Sequence, residues 1–364
     1  MTANMVPTAE DQVRFLLNVQ RLLTEGQFAA TYKFALLMAL ADLSVELGDG
    51  SGDALALSAH QMAEKFVEYY WRQSIPFLGK STLRQNTGNP PVVVTLLQRA
   101  RQTHGEHLAV AKKDRAQWQT LMNGVAQTIR SMPLRYLQNV GRESLAFLYD
   151  QPPAAAPSTI LLYPGVAYCF RRFHGLISEL VQAAWTRWVR ERNLAIIGDV
   201  ADLHEFLFGT ERASLALVRA PLQDLQRGLC FYCGLAMRGQ PHVDHFIPWT
   251  LYQLDLGHNF VLSHSECNSA KRDRLASEDH LAAWMDRNQK HGESLGQEFS
   301  ALGVLHNLST TARITRWAYD TLSHAGGLTW RAKQTLVPLS GAWSRLLDDP
   351  IGFGEPGSCD SHSR

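Results

Sequence analysis

The chain has 364 residues, which is long enough for two or three domains with well-buried cores. Hydrophobic residues make up 45% and charged residues 19%, as is ordinary for a globular protein. Its formal net charge is +1, which excludes a global basic field and leaves any nucleic-acid affinity to local patches. No apolar run approaches the roughly 18 residues of a membrane-spanning helix, so we expect no membrane partner.

The first part of the chain predicts helices. Apolar residues recur at helical spacing over 10–23, and 28–47 is apolar on all sides, which is typical of a core helix. The glycine-rich segment 48–52 interrupts the pattern, and Ser58 is a suitable N-cap for a helix to about Trp71. Two helices joined by a turn permit a winged-helix-like recognition element or a regulatory region, although packed core helices are commoner.

Two later stretches carry basic residues. The segment 75–91 is rich in proline and glycine and predicts a loop or wing, solvated or in contact with phosphates. The segment 168–193 mixes arginines with Trp185 and Trp188, which suits either a nucleic-acid surface or an amphipathic helix with buried tryptophans. Further helices are predicted near 92–105, 112–129, 172–193 and 311–323.

Cysteine usage indicates metal binding. Five cysteines are present, and three of them fall within one short window. The N-terminal residues lack a charged segment followed by an apolar one, so we expect no signal peptide and a cytoplasmic location. An odd number of cysteines in such a chain argues against a disulfide framework.

Two pairs of metal-binding residues repeat one spacing. The knuckle CFYCG brings two thiolates to one tetrahedral ion, and HSEC, about thirty residues later, adds a second pair. Together they predict a closed, structural Zn²⁺ site with the ligands Cys230, Cys233, His264 and Cys267. His258 is an alternative to His264 as the fourth ligand, and small buried thiols without an ion are the alternative to zinc.

The segment HVDHFIPW places Asp244 beside His245. A carboxylate is the hard oxygen ligand that magnesium prefers, and an imidazole can act as a base at neutral pH. Neighbours in a strand face opposite sides, but twist near a strand end can bring both to one site. From Asn268 onward, NSAKRDRL predicts a short helix on which Asn268, Lys271 and Arg272 share one face that would favour an anion.

The segments CFYCG, HVDHFIP and HNFVLSHSECNSAK follow one another in order within 227–274. On these residues the window resembles the HNH (ββα-metal) endonucleases. Asn259 and Asn268 are nine residues apart, a spacing similar to that of the CRISPR effector members. The HxxC pair in place of a second CxxC departs from the commonest zinc-bearing members of the family.

The resemblance implies a role for each matching residue. His245 corresponds to the general base that takes a proton from the attacking water. Asp244 and Asn268 correspond to the ligands of one catalytic Mg²⁺ or similar ion. Asn259 corresponds to an asparagine that braces the loop holding the base. The expected phosphate contacts, which rest mainly on the helix-face argument, are Lys271 and Arg274.

We therefore expect a mainly α, multi-domain protein with an embedded small α+β nuclease module of the ββα-metal type. The N-terminal region would supply target recognition, partner binding or inhibition. The predicted parts are an N-terminal helical domain (1–150), a helical connector (151–220), the HNH module with its zinc knuckle (221–276), a C-terminal helical region (277–350) and a disordered tail (351–364).

Phosphodiester hydrolysis requires an activated water and a means of absorbing charge on the leaving oxygen, which a histidine and a divalent ion provide. The expected function is metal-dependent cleavage of DNA, in a role that resembles the restriction or anti-phage nucleases of bacteria. A protein partner or a second copy could activate it. The alternatives are a non-catalytic zinc-knuckle module that binds nucleic acid, and an RNA-directed nuclease or toxin with the same site.

Overall fold

The structure is a computed structural model, and it describes residues 6–88, 91–152, 157–198, 202–209 and 212–348. The chain divides into two compact units, Met1–Glu211 (unit 1) and Arg212–Arg364 (unit 2). Helices dominate both, and the described strands pair only in two-stranded antiparallel sheets, which confirms the mainly α expectation. No helix in the described ranges is both long and apolar enough to cross a membrane. The tail predicted at 351–364 lies outside the described residues.

Unit 1 is built around one buried helix. Its elements are α1 (Ala9–Glu25), α2 (Tyr32–Leu47), β1 (Leu55–Ser58), α3 (Ala59–Gln73), α4 (Val92–His104), α5 (Leu108–Ala111), α6 (Arg115–Ser131), α7 (Pro133–Tyr136), β2 (Asn139–Val140), β3 (Glu143–Ser144), β4 (Thr159–Leu162), α8 (Val166–Arg172), α9 (His174–Arg192), α10 (Leu194–Ile197) and α11 (Leu203–Phe208). Because α2 is apolar on all sides, α3, α8 and α9 can pack around it, and β1 pairs with β4 beside them.

The predicted N-cap at Ser58 is present. The Ser58 hydroxyl accepts a hydrogen bond from the backbone N–H of Gln61 at 3.2 Å, and the Gln61 side chain accepts one from the Ser58 N–H at 2.8 Å. This capping box satisfies two amide groups that the first turn of a helix leaves unpaired. Helix α3 then buries one face against α2, α4 and α6.

The basic and aromatic segment near 168–193 is used for packing. Trp185 is fully buried and Trp188 is 6% exposed, with the Arg192 guanidinium 4.0 Å from the Trp188 ring centroid. The Arg171 guanidinium is buried and donates to the backbone oxygens of Val45 and Gly48 at the end of α2. Trp185 and Trp188 are therefore buried residues of an amphipathic helix, the second of the two alternatives given for this segment. The helix predicted at 172–193 is α9 (His174–Arg192), and the separate helix α8 precedes it.

Unit 2 contains the window with the metal-binding pattern. Its elements are α12 (Arg212–Leu217), α13 (Arg219–Leu225), β5 (His242–His245), a short 3-10 helix (Gly257–Asn259), β6 (Phe260–Ser263), α14 (Ser265–Lys271), α15 (Glu278–Leu302), α16 (Leu308–His324), β7 (Leu328–Ala332), β8 (Thr335–Pro338) and α17 (Ala342–Asp348). Strands β5 and β6 are antiparallel, and α14 follows β6 after one residue, so the window has the order strand, strand, helix.

Helix α15 supports this strand pair from within unit 2. The Trp284 ring stacks on Phe246 with centroids 5.1 Å apart. The buried Arg287 guanidinium donates to the backbone oxygens of Phe260 at 2.7 Å and His258 at 2.5 Å. Because both oxygens belong to the chain that enters β6, a side chain of α15 fixes the position of that strand.

Two local expectations for this part of the chain need correction. The short helix predicted from Asn268 begins three residues earlier and ends at Lys271, since Arg272 has a φ of +53° in the left-handed region. Arg272 therefore does not share the helix face of Asn268. The region 277–350, expected to be helical, also contains the β7–β8 hairpin.

Candidate metal centre and hydrolytic site

Four side chains of unit 2 converge on one point. The ligand atoms of Cys230, Cys233, His264 and Cys267 all lie within 4.8 Å of one another. The knuckle is closed by a backbone hydrogen bond from Gly234 N–H to the Cys230 oxygen at 2.9 Å, with Gly234 at a φ of +69°. Glycine suits this conformation because it has no Cβ to clash with the backbone.

The imidazole of His264 is oriented for metal binding. Its Nε2 lies 3.3 Å from the Ala236 backbone oxygen, to which it can donate, while Nδ1 is 3.3 Å from Cys233 Sγ and 4.0 Å from Cys267 Sγ. A metal-binding histidine commonly donates its second N–H to an oxygen, which fixes the tautomer and leaves the other nitrogen as the ligand. The Nδ1 atom of His264 faces the thiols in this way.

The thiols of the cluster influence one another. Burial and the nearby Cys230 and Cys233 raise the pKa of Cys267 to about 12. At Cys230 burial opposes ionisation, but hydrogen bonds from the backbone of Cys233 and His264 outweigh it and lower the pKa. A bound divalent cation would stabilise the ionised form of these thiols, because thiolates are its ligands. The predicted Cys3His set does come together, and it could hold a metal ion such as zinc.

His258, the alternative fourth ligand, lies apart from this cluster. Its side chain is buried, and Nε2 is 2.9 Å from the Gly292 backbone oxygen. Burial lowers the pKa of His258 to about 4, so the ring is neutral at physiological pH. His258 therefore supports α15 and the start of β6, and the histidine of the cluster is His264.

Asp244 is held by two partners on one carboxylate oxygen. The Tyr232 hydroxyl donates to Oδ2 at 2.5 Å, and Lys271 Nζ lies 3.1 Å from the same atom. Only 9% of the Asp244 side chain is exposed. Within the described residues Oδ1 accepts no hydrogen bond, so this oxygen is available to a further ligand.

Lys271 faces the strand pair and not the solvent. Its side chain is fully buried, and Nζ also donates to the His245 backbone oxygen at 2.8 Å. Burial lowers the pKa of this ammonium, and the Asp244 carboxylate works against that shift. The phosphate contact expected of Lys271 would require both of these contacts to break. In the structure Lys271 instead ties α14 to the end of β5.

His245 ends strand β5 and forms a pair with Asp255. Its Nε2 lies 2.6 Å from Asp255 Oδ1, and each side chain is 14% exposed. The rings of Trp249 and Phe260 flank the imidazole, at centroid distances of 5.6 and 4.9 Å. A proton on Nε2 directed at the carboxylate leaves the Nδ1 lone pair as the acceptor. No hydrogen bond to Nδ1 occurs among the described residues.

The two asparagines of the window have different surroundings. Asn259 is buried, its Oδ1 accepts from the Ile247 N–H at 2.8 Å, and its Nδ2 donates to the Ile247 oxygen at 3.0 Å. These two hydrogen bonds fix the backbone at Ile247, two residues after His245. Asn268 is half-buried on α14, and its amide makes no side-chain hydrogen bond in the described part of the chain. Arg274 is exposed beyond the helix.

Two residues of the site were not identified from the sequence. Tyr232 lies between the knuckle cysteines and reaches Asp244, and Asp255 reaches His245 from the loop between β5 and β6. A tyrosine inside the knuckle could have been noticed as an unusual polar group beside the ligands. Asp255 is one of many acidic residues, and only the path of the loop brings it to the imidazole.

Comparison with known proteins assigns half of the chain to a family without a described activity. Residues 12–197 match a family model described as "Domain of unknown function (DUF8808)". No curated protein and no solved structure matches the chain. The matched residues lie in unit 1 and end before the Cys3His cluster, so the family match covers no residue of the candidate site.

Proposed function

The chain belongs to the family described as Domain of unknown function (DUF8808), and from the chemistry of unit 2 we propose that it is a metal-dependent endonuclease of the HNH (ββα-metal) type that hydrolyses DNA. One observation carries the proposal: His245 ends the first strand of a strand, strand, helix unit with Nε2 on Asp255 and Nδ1 left as an acceptor. That arrangement is what a general base needs.

His245 activates the attacking water in this proposal. Its Nδ1 takes the proton as the water oxygen attacks phosphorus, and the bond from phosphorus to the leaving sugar oxygen breaks. The Asp255 carboxylate, 2.6 Å from Nε2, stabilises the imidazolium that results. Trp249 and Phe260 restrict the ring to one orientation. Asn259 keeps the following backbone in place through both of its bonds to Ile247.

Asp244 and Asn268 are the residues that would hold a catalytic ion such as Mg²⁺. The donor set fits, because Asp244 keeps Oδ1 available while Oδ2 is occupied, and the Asn268 amide oxygen is uncommitted within the described residues. When bound, such an ion polarises the phosphate and offsets the charge on the leaving oxygen. Lys271 has a positioning role here, since it binds Asp244 and the His245 backbone together.

The zinc cluster supports the same residues from two sides. The knuckle carries Tyr232, and α14 carries Lys271; the two side chains meet on Asp244 Oδ2. An ion shared by the knuckle and the start of α14 would fix both elements relative to β5. In this proposal the structural zinc ion therefore holds the residues of the hydrolytic site in position and does not contact the substrate.

The direct test is nicking of a supercoiled plasmid by the purified full chain. We expect relaxed circles to form with Mg²⁺ and not in Mg²⁺-free buffer, because the leaving-group charge is then uncompensated. Retardation of the plasmid without nicking would instead support the zinc-knuckle binding module. Cleavage of RNA but not of DNA would support the RNA-directed nuclease. If the chain neither binds nor cleaves nucleic acid under any of these conditions, the proposal is contradicted.

Asp255→Asn should lower kcat about 10²-fold or more and leave KM nearly unchanged, because the amide cannot stabilise the imidazolium and can reverse the tautomer. Asp255→Glu should recover part of the loss, since it restores the charge. Asp286→Asn is the matched control: Asp286 is exposed on α15, and in the described part of the chain its one ion-pair partner is Lys290, at 2.7 Å. Equal rates for Asp255→Asn and the control would remove Asp255 from the mechanism.

A further inference from the structure

A groove in unit 2 lies on the outer side of α14. It has a volume of about 1140 Å³ and lies between the zinc knuckle, α14 and the β7–β8 hairpin. One wall carries Leu235 and the other Leu336, both exposed. Tyr232 and Trp330 form part of the lining and meet edge to face, with centroids 5.2 Å apart. The hairpin thus closes one side of a channel along the helix.

The lining of this groove is strongly basic in a chain whose formal net charge is only +1. The cations that line it are Arg238, Arg272, Arg274, Arg331 and Lys333, against the single acidic residue Glu266. Arg331 is paired with the exposed Asp279 at 3.2 Å. The other four cations form no ion pair within the described residues. A zinc ion with three thiolates adds one negative charge at the knuckle end, and the groove stays positive.

The groove adjoins the proposed hydrolytic site through α14. Ser269 and Ala270 line the groove, while Lys271 points the opposite way into the strand pair. Asn268, the proposed ion ligand, lies next to Ser269 on the same helix and is half-buried. A chain lying in the groove therefore passes along the helix that carries one half of the ion site.

We propose that this groove binds the phosphate backbone of the nucleic acid on one side of the scissile bond. The inference rests on the proposed nuclease function for its choice of ligand. Four of the five cations are arginines, whose planar guanidinium groups bind phosphate oxygens through two parallel hydrogen bonds. The exposed Leu235 and Leu336 offer apolar surface for the sugars and bases beside those phosphates. Backbone contacts of this kind hold the substrate in register without reading its sequence.

The test removes three of the cations that line the groove. The triple variant is Arg238→Gln, Arg274→Gln and Lys333→Gln, and the matched control is Lys290→Gln, Arg313→Gln and Arg345→Gln. Both sets remove two arginines and one lysine from exposed positions of unit 2. Binding of a labelled DNA oligonucleotide is measured by fluorescence anisotropy across a salt series, in a His245→Ala background that holds the DNA intact.

We expect the groove variant to bind at least about 10-fold more weakly than the control at physiological salt, with the slope of log K against log salt reduced by about 2. Equal affinity and slope for the two variants would overturn the groove assignment. Poly-glutamate that binds as tightly as DNA of the same charge would overturn it in favour of an acidic protein partner. If the wild type cleaves DNA and the groove variant binds as tightly as the control, the groove assignment fails and the nuclease proposal stands. If the groove variant loses binding and the wild type does not cleave, the nuclease proposal fails and the groove still binds nucleic acid.

Discussion

His245→Ala should reduce Mg²⁺-dependent nicking of supercoiled plasmid by at least about 10²-fold while leaving DNA affinity near the wild-type value. A positioned general base contributes roughly 10²- to 10⁴-fold to a reaction rate, and the alanine removes the only group placed to accept the proton in this proposal. The strand pair that carries His245 is also held by Trp284 and Arg287 of α15, so the loss of this one imidazole should leave the fold of unit 2 in place. The measurement is the initial rate of conversion from supercoiled to relaxed plasmid.

The matched control is His291→Ala. His291 is exposed on α15, and within the described residues no hydrogen bond or ion pair joins its side chain to Asp244 or His245. The control should nick at the wild-type rate, and both variants should have wild-type zinc content. An alanine variant of His245 that retains full activity would show that the water is activated by another group, and the general-base assignment would be lost.

Cys230→Ser should release the zinc and destabilise unit 2 by several kcal/mol. Structural zinc contributes its binding free energy to folding, and a serine hydroxyl is not among the ligands of closed tetrahedral sites. Cys230 is 2% exposed and also accepts the His264 N–H at 3.4 Å, so the change disturbs the join between the knuckle and α14. Zinc content should fall from one ion per chain to near zero, and the urea midpoint should fall with it.

Cys169→Ser serves as the control for this change. Cys169 is buried in unit 1, outside the cluster, so the variant loses a thiol from an apolar environment without losing a ligand. It should keep one zinc per chain even if unit 1 becomes somewhat less stable. A Cys230→Ser protein that stays folded and retains its zinc would show that the four clustered residues are not the ligand set.

Several features of this protein could be predicted because they depend on residues close together in the chain. Helix α2 follows from a stretch that is apolar on every side, and α3 from an N-cap serine with a glutamine three residues later. The metal cluster follows from two pairs with the same two-residue spacing, since such a turn brings both ligands to one point. The mainly α class follows from the periodicity of these segments.

Other features depend on partners that only the folded chain brings together. The position of Lys271 on its helix predicted a contact with phosphate. In the structure α14 packs against β5 on that side, and the Asp244 carboxylate compensates the buried ammonium. The helix predicted to include Arg272 stops one residue earlier because the backbone turns into the left-handed region there. Local pattern cannot reveal which face a short helix buries.

The amino-acid sequence by itself determined the helical class and the four residues of the Cys3His cluster, because both depend on spacings of a few residues. Only the tertiary structure decided that Tyr232 and Lys271 hold Asp244, that Asp255 orients His245, and that a hairpin closes a basic groove along α14. These contacts join loops and elements whose approach depends on the packing of the whole unit.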